Sequence, residues 1–134
     1  MLFDLQTDSS VPIYEQIVAQ ITFAVAAEAL EVGTLIPSVR ELASQLLVHP
    51  NTVARAFQEL ERRGVVASRR GRRMEVTADA PELCRRQRQE TVRGRIREAL
   101  REAVSSALPP DEVRKLVEEE LARVNGFRRT REKP

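Results

Sequence analysis

One histidine and one cysteine in 134 residues leave little for side-chain catalysis or metal binding. His49 and Cys84 together fall short of the three or four Cys/His ligands a zinc site needs, and a lone cysteine closes no internal disulfide. No nucleophile–His–acid set and no glycine-rich phosphate loop is present. The expectation is therefore no metal, no cofactor and no enzyme. Arginine is the residue type that does concentrate. Residues 62–73 hold Arg62, Arg63, Arg69, Arg70, Arg72 and Arg73 with no acid, whereas residues 1–61 hold two arginines against eight acids. The formal net charge of +2 hides this layout. A compact cationic segment in a mildly charged chain points to a polyanion bound at one place; a solvated arginine-rich turn is the bland alternative. With no Trp, one Tyr and four Phe, stacking on single-stranded nucleic acid is not the obvious mode.

The elements that would carry these arginines follow from periodicity and capping. Phe3-Asp4-Leu5 alternates like a short strand. A helix starts near Ser10–Pro12 and buries Ile13, Ile17, Ile21, Ala24 and Val25, with Gly33 expected to end it. Ser38-Val39-Arg40-Glu41 reads as a capping box opening a second helix, with Leu42, Ala43 and Leu46 as its buried stripe. A tight break at Leu47-Val48-His49 leads to Pro50, well placed in the first turn of a third helix. Val53, Ala56, Phe57 and Leu60 form that helix's apolar face, and Gly64 its stop. The period then changes from helix to strand: 65–68 and 74–77 are strand-like, with Arg69-Arg70-Gly71-Arg72-Arg73 as the turn between them. Helix, helix, short turn, helix and β-hairpin make a winged helix-turn-helix over 1–78.

Residues 79–126 read as two further helices. Val92, Ile96, Ala99, Leu100, Ala103 and Ala107 form the stripe of the first, which spans 79–108. After Pro109-Pro110, the residues Val113, Leu116, Val117, Leu121 and Val124 form the stripe of the second. Two such helices cannot bury both stripes alone, and a symmetric homodimer supplies matching faces from one sequence. The candidate dimerisation residues are Val92, Ile96, Leu100, Ala103, Val113, Leu116, Val117 and Leu121. Arg93, Arg97 and Arg101 recur at spacing four and would pair across subunits with Glu118, Glu119 and Glu120, at modest energy. The basic stretch 127–134 reads as a disordered tail. The fold class expected is mainly α with a small β-hairpin. No apolar stretch reaches membrane-span length, since Val25–Leu30 is broken by Glu28, and the acidic start MLFDLQTD is unlike a signal peptide. The expectation is a cytoplasmic, nucleoid-associated protein with no membrane partner.

PIYEQI (12–17), PSVRELA (37–43), HPNTVARAFQELERRG (49–64) and SRRGRR (68–73) resemble the DNA-binding domain of the GntR family of bacterial transcription regulators. The two-helix remainder resembles its YtrA-like subgroup. The resemblance implies a sequence-specific repressor that binds an inverted-repeat operator in double-stranded DNA as a homodimer. It also implies control of a nearby operon, in this subgroup often one for ABC transporters or envelope stress. A small-molecule effector stays open. The third helix would lie in the major groove with His49, Pro50, Asn51 and Thr52 at the base edges. Asn pairs with adenine, Thr reaches a hydroxyl acceptor or a thymine methyl, and a helix N-terminus attracts phosphate. Arg55 lies a turn further on, and Arg40 matches the family's arginine that commonly reaches guanine. Ser38 sits beside Arg40 among the DNA-facing residues, chiefly as a cap. Arg69, Arg70, Gly71, Arg72 and Arg73 would form the wing, on the minor groove or flanking phosphates.

Four departures from the family pattern bear on turn geometry, base preference and phosphate binding, one of them Arg72-Arg73-Met74-Glu75 in place of the usual small-residue and aromatic pattern after Gly71. Leu47 stands where Gly is frequent, His49 where Asn or Ser is common, and Pro50 where some members read a base with Arg. Neutralising about six phosphates per protomer would give a log–log salt slope of roughly −5. Two alternatives remain at this stage, a winged-helix protein-interaction module and a sequence-blind architectural DNA binder. The first has no use for so basic a wing, and the second would protect no defined site.

Overall fold

The computed structural model describes the backbone of residues 3–69 and 73–132, with side chains through Gly126. In chain order the elements are α1 (Ile13–Ala26), α2 (Val39–Leu46), α3 (Pro50–Arg62), β1 (Val66–Arg69), β2 (Arg73–Val76), α4 (Ala80–Ser105) and α5 (Pro110–Glu132). The expected class holds: helices with one antiparallel hairpin, arranged as a winged helix-turn-helix followed by two long helices. The chain divides into two compact units, Met1–Glu90 and Thr91–Pro134, with the boundary inside α4.

In the first unit α3 packs against both α1 and α2 and against β1. Ile17, Ile21 and Val25 of α1 meet Leu42 of α2, Val53, Ala56, Phe57 and Leu60 of α3, and Val66 and Val76 of the hairpin. Ala80 and Cys84 of α4 complete this core. The α1, α2 and α3 members fall on the apolar stripes of their helices, so burial of those stripes orients α3, whereas Ala80 and Cys84 lie outside the expected stripe of α4. The hairpin register pairs Val66 with Val76 and Arg69 with Arg73. Each strand is offset by one residue from the spans 65–68 and 74–77 expected from alternation. β2 has a second neighbour that alternation did not reveal. The Gly33 amide donates to Val76 O at 2.9 Å, Val76 N to Thr34 O at 3.0 Å, and Ile36 N to Met74 O at 2.9 Å. The segment before α2 is thus laced to the wing.

Phe3–Leu5 is not a strand. Its alternation is real, since Phe3 and Leu5 pack against the core, but its hydrogen bonds go to side chains. Gln20 accepts from Asp4 N at 2.9 Å and donates to Asp4 O at 2.7 Å. Gln16 accepts from Gln6 N at 2.8 Å and donates to Gln6 O at 2.9 Å. Two amides one helical turn apart stand in for a neighbouring strand. The first helix also stops before Gly33: α1 ends at Ala26, and Glu28 takes the positive φ of 64°. Gly33, at φ 86°, serves the turn onto β2 instead.

In the second unit the α5 backbone is helical past Gly126 to Glu132, so most of the 127–134 stretch expected as a disordered tail continues the helix. No helix among the described residues is long and apolar enough to cross a membrane.

Candidate nucleic-acid interface

The start of α3 is built by a left-handed turn followed by a cap. Leu47 adopts φ 56°, and the next amide, Val48 N, donates to Ala43 O at 3.1 Å, closing α2. His49 then caps α3: its Nδ1 accepts from Asn51 N at 3.0 Å, while Thr52 N donates to His49 O at 3.0 Å. Imidazole here fills the role usually taken by Ser, Thr, Asp or Asn. With Nδ1 committed as acceptor, the neutral ring carries its proton on Nε2 and presents a donor outward. Pro50 occupies the first turn, where its missing N–H costs nothing.

This turn faces solvent. His49, Pro50 and Asn51 are exposed and Thr52 is half-buried, while Val53 directly below is fully buried. The Asn51 side-chain amide makes no hydrogen bond among the described residues, so both its donor and its acceptor edges are open. Arg40, exposed in the first turn of α2, likewise has no carboxylate partner among them. Ser38 caps α2 by accepting from Glu41 N at 3.2 Å. The reciprocal arm of the expected capping box is not made, because the Glu41 carboxylate turns to Arg73 Nη2 at 2.7 Å. Arg55, exposed one turn beyond Asn51, lies over the Tyr14 ring with its guanidinium carbon 3.9 Å from the centroid.

The cationic run is largely paired within the first unit. Arg62 and Arg63 both bind Glu59, Arg63 through Nε at 2.8 Å. Their hydrogen bonds and charges hold the Glu59 carboxyl at about 2, far below its ordinary 4.5. Arg69 reaches Glu75 at 3.5 Å. Four of the six arginines in 62–73 therefore already hold a carboxylate. Arg70, Gly71 and Arg72 lie outside the described residues. Cys84 is fully buried, and burial pushes its thiol up to about 11, with Arg63 opposing the shift. At neutral pH it is a protonated core residue.

The structure thus places Arg40 in the first turn of α2, His49 at the cap of α3, Pro50, Asn51, Thr52 and Arg55 in the first two turns of α3, and Arg69 and Arg73 opposite one another on the hairpin. Sequence reasoning missed the roles of Tyr14 and Glu41. Each acts on an arginine more than thirty positions away, and no periodicity signals such a pair.

The sequence and the fold are shared with known proteins. The family profile described as bacterial regulatory proteins, gntR family, matches residues 13–76. The HTH-type transcriptional repressor YtrA of Bacillus subtilis (strain 168) is 39% identical over 79 residues, which are 59% of this chain and 61% of that protein. The match therefore spans less than two thirds of that relative's length. Among solved structures, a transcriptional regulator from Oenococcus oeni superposes with a TM-score of 0.76 at 28% identity, covering 90% of this chain and 99% of that one. A GntR family transcriptional regulator from Listeria monocytogenes gives a TM-score of 0.67 at 30% identity, over 84% of this chain and 97% of its own. With the helix-turn-helix, the wing and the two further helices all matched, the chain belongs to the GntR family of bacterial regulatory proteins.

Proposed function

We propose that this chain is a sequence-specific DNA-binding transcription regulator that represses by occupying an inverted-repeat operator as a homodimer. The observation that carries the reading is the solvent-facing, His49-capped start of α3, with exposed Asn51 in its first turn and exposed Arg40 in the first turn of the preceding helix, neither side chain partnered among the described residues. A helix N-terminus with its apolar face buried and polar side chains at its tip fits the major groove. Asn51 and Arg40 are the base readers, Thr52, Arg55 and the helix N-terminus hold phosphates, and the wing covers the flanking groove. The similarity to a protein named a transcriptional repressor supports repression over activation.

The homodimer rests on the second unit. Val92, Ile96, Leu100, Leu116, Val117 and Leu121 are 39–59% exposed, while Ala103 and Val113 are half-buried. Apolar stripes left this open mark an association surface, and a second copy supplies matching stripes.

The test is selection from a random duplex pool with the purified full chain, followed by Arg40→Ala and Asn51→Ala. The wild type is expected to enrich one inverted repeat, and each variant to lose preference at its own base pair by about 1–3 kcal/mol. The salt slope is expected to be steep but shallower than the roughly −5 that six free phosphate contacts per protomer would give, because paired arginines must exchange carboxylate for phosphate. Retention of the wild-type preference by both variants contradicts the reading.

A further inference from the structure

We propose that Tyr14 is a positioning residue for the DNA contact: it holds the Arg55 guanidinium, free of any direct carboxylate contact among the described residues, as a preset clamp for a backbone phosphate. This deepens the DNA-binding reading and rests on it. Arg55 lies four residues beyond Asn51 on α3, so the two share a helix face. An exposed arginine at that place would ordinarily sample many rotamers and would have to be ordered on binding. Here it is ordered already. Its guanidinium carbon lies over the Tyr14 ring, 3.9 Å from the centroid, and Nη2 donates to the Tyr14 hydroxyl at 3.3 Å. The hydroxyl donates in turn to Glu15 Oε1 at 3.1 Å, which directs its lone pairs toward the arginine. The ring is itself anchored, since Tyr14 is half-buried against the core.

The contrast with the cationic run decides the role. Arg62, Arg63, Arg69 and Arg73 are held by carboxylates, which neutralise the charge they orient. Tyr14 is neutral and keeps the Glu15 carboxylate one hydroxyl away from Arg55, so Arg55 is oriented without a direct carboxylate contact and keeps more of its charge than those four. A guanidinium has five N–H donors in one plane; the ring lies against one side of it and the hydroxyl takes one donor. The remaining in-plane edge is the fork that matches phosphate oxygens. The class of partner atom is thus the phosphodiester oxygen, and the predicted effect is on affinity and salt dependence rather than base preference.

The test is a double-mutant cycle on the full chain, titrated on the duplex that the wild type selects. Arg55→Ala is expected to weaken binding about tenfold and to lower the salt slope by about 0.9 per protomer, with base preference unchanged. Tyr14→Leu keeps every charge, yet is expected to show most of that loss and the same flattening of slope. In the Arg55→Ala background it is expected to cost nothing more. Wild-type binding by Tyr14→Leu, or losses that simply multiply, overturns the proposal. If thermal melting shows that Tyr14→Leu does not fold, Tyr14→Phe decides, because it keeps the ring and removes the hydroxyl. A loss of about threefold that vanishes in the Arg55→Ala background supports the clamp; no loss, or an equal loss in both backgrounds, overturns it. If the wild type selects no duplex at all, the DNA-binding reading itself fails, which is a different result from a flat cycle.

Discussion

Four helices of this chain close in the same way: an amide that follows a left-handed residue bonds the carbonyl five positions back. The pairs are Ala29 to Ala24, Val48 to Ala43, Val65 to Leu60 and Leu108 to Ala103. The left-handed residues are Glu28, Leu47, Gly64 and Ala107. Only one is glycine, so a search for glycine stops located the end of α3 and missed the end of α1. The hydrogen bonds require a positive φ, not a glycine, and an L-residue meets that requirement at a cost of about 1–2 kcal/mol. Leu47 bears this cost in the turn that aims α3, and its side chain is 92% exposed. Leu47→Gly removes the strain and loses almost no packing, but it gives the unfolded chain more freedom. The expected net effect is a stability gain of up to about 1 kcal/mol, read from urea unfolding. A loss of stability would mean that the added freedom of the unfolded chain, or contacts of Leu47, outweigh the relieved strain.

At the scale of elements, periodicity and caps made most of the DNA-binding unit legible. The stripe Val53, Ala56, Phe57 and Leu60 is wholly buried, and the Ser38 cap is where its sequence context places it. What stayed hidden was long-range polar pairing. Glu41 left its capping box for Arg73, and Gln16 and Gln20 replaced a strand. The C-terminal turn of α3 shows how such pairing makes an element pH-sensitive. Glu59 sits at about 2 in the fold against 4.5 ordinarily, because Arg62 and Arg63 hydrogen-bond its ionised form. A depressed carboxylate stabilises the fold above its unfolded value and loses that contribution as the pH falls through its folded value. Glu59→Gln is therefore expected to unfold at lower urea than the wild type at neutral pH, with the gap closing between about 4.5 and about 2. A gap that does not change with pH would assign the stabilisation to packing instead.

At the scale of the whole molecule, one unit carries the exposed turn of α3 and the other carries apolar stripes without a described partner. The proposed homodimer gives both a purpose, since a two-fold pair presents two α3 helices to two half-sites. The exposed stripes were legible as a 3.6-residue period on two helices that cannot bury both faces by themselves. The continuation of α5 past Gly126 was not, because glycine and a run of arginines read as a stop and a tail while the backbone stays helical to Glu132. A hydroxyl-radical footprint of the full chain on its selected duplex tests the central claim most directly. The account predicts two protected patches related by a dyad, about 10 base pairs apart centre to centre and on one face of the helix. Protection without boundaries, or a single patch with no symmetry mate, would contradict it.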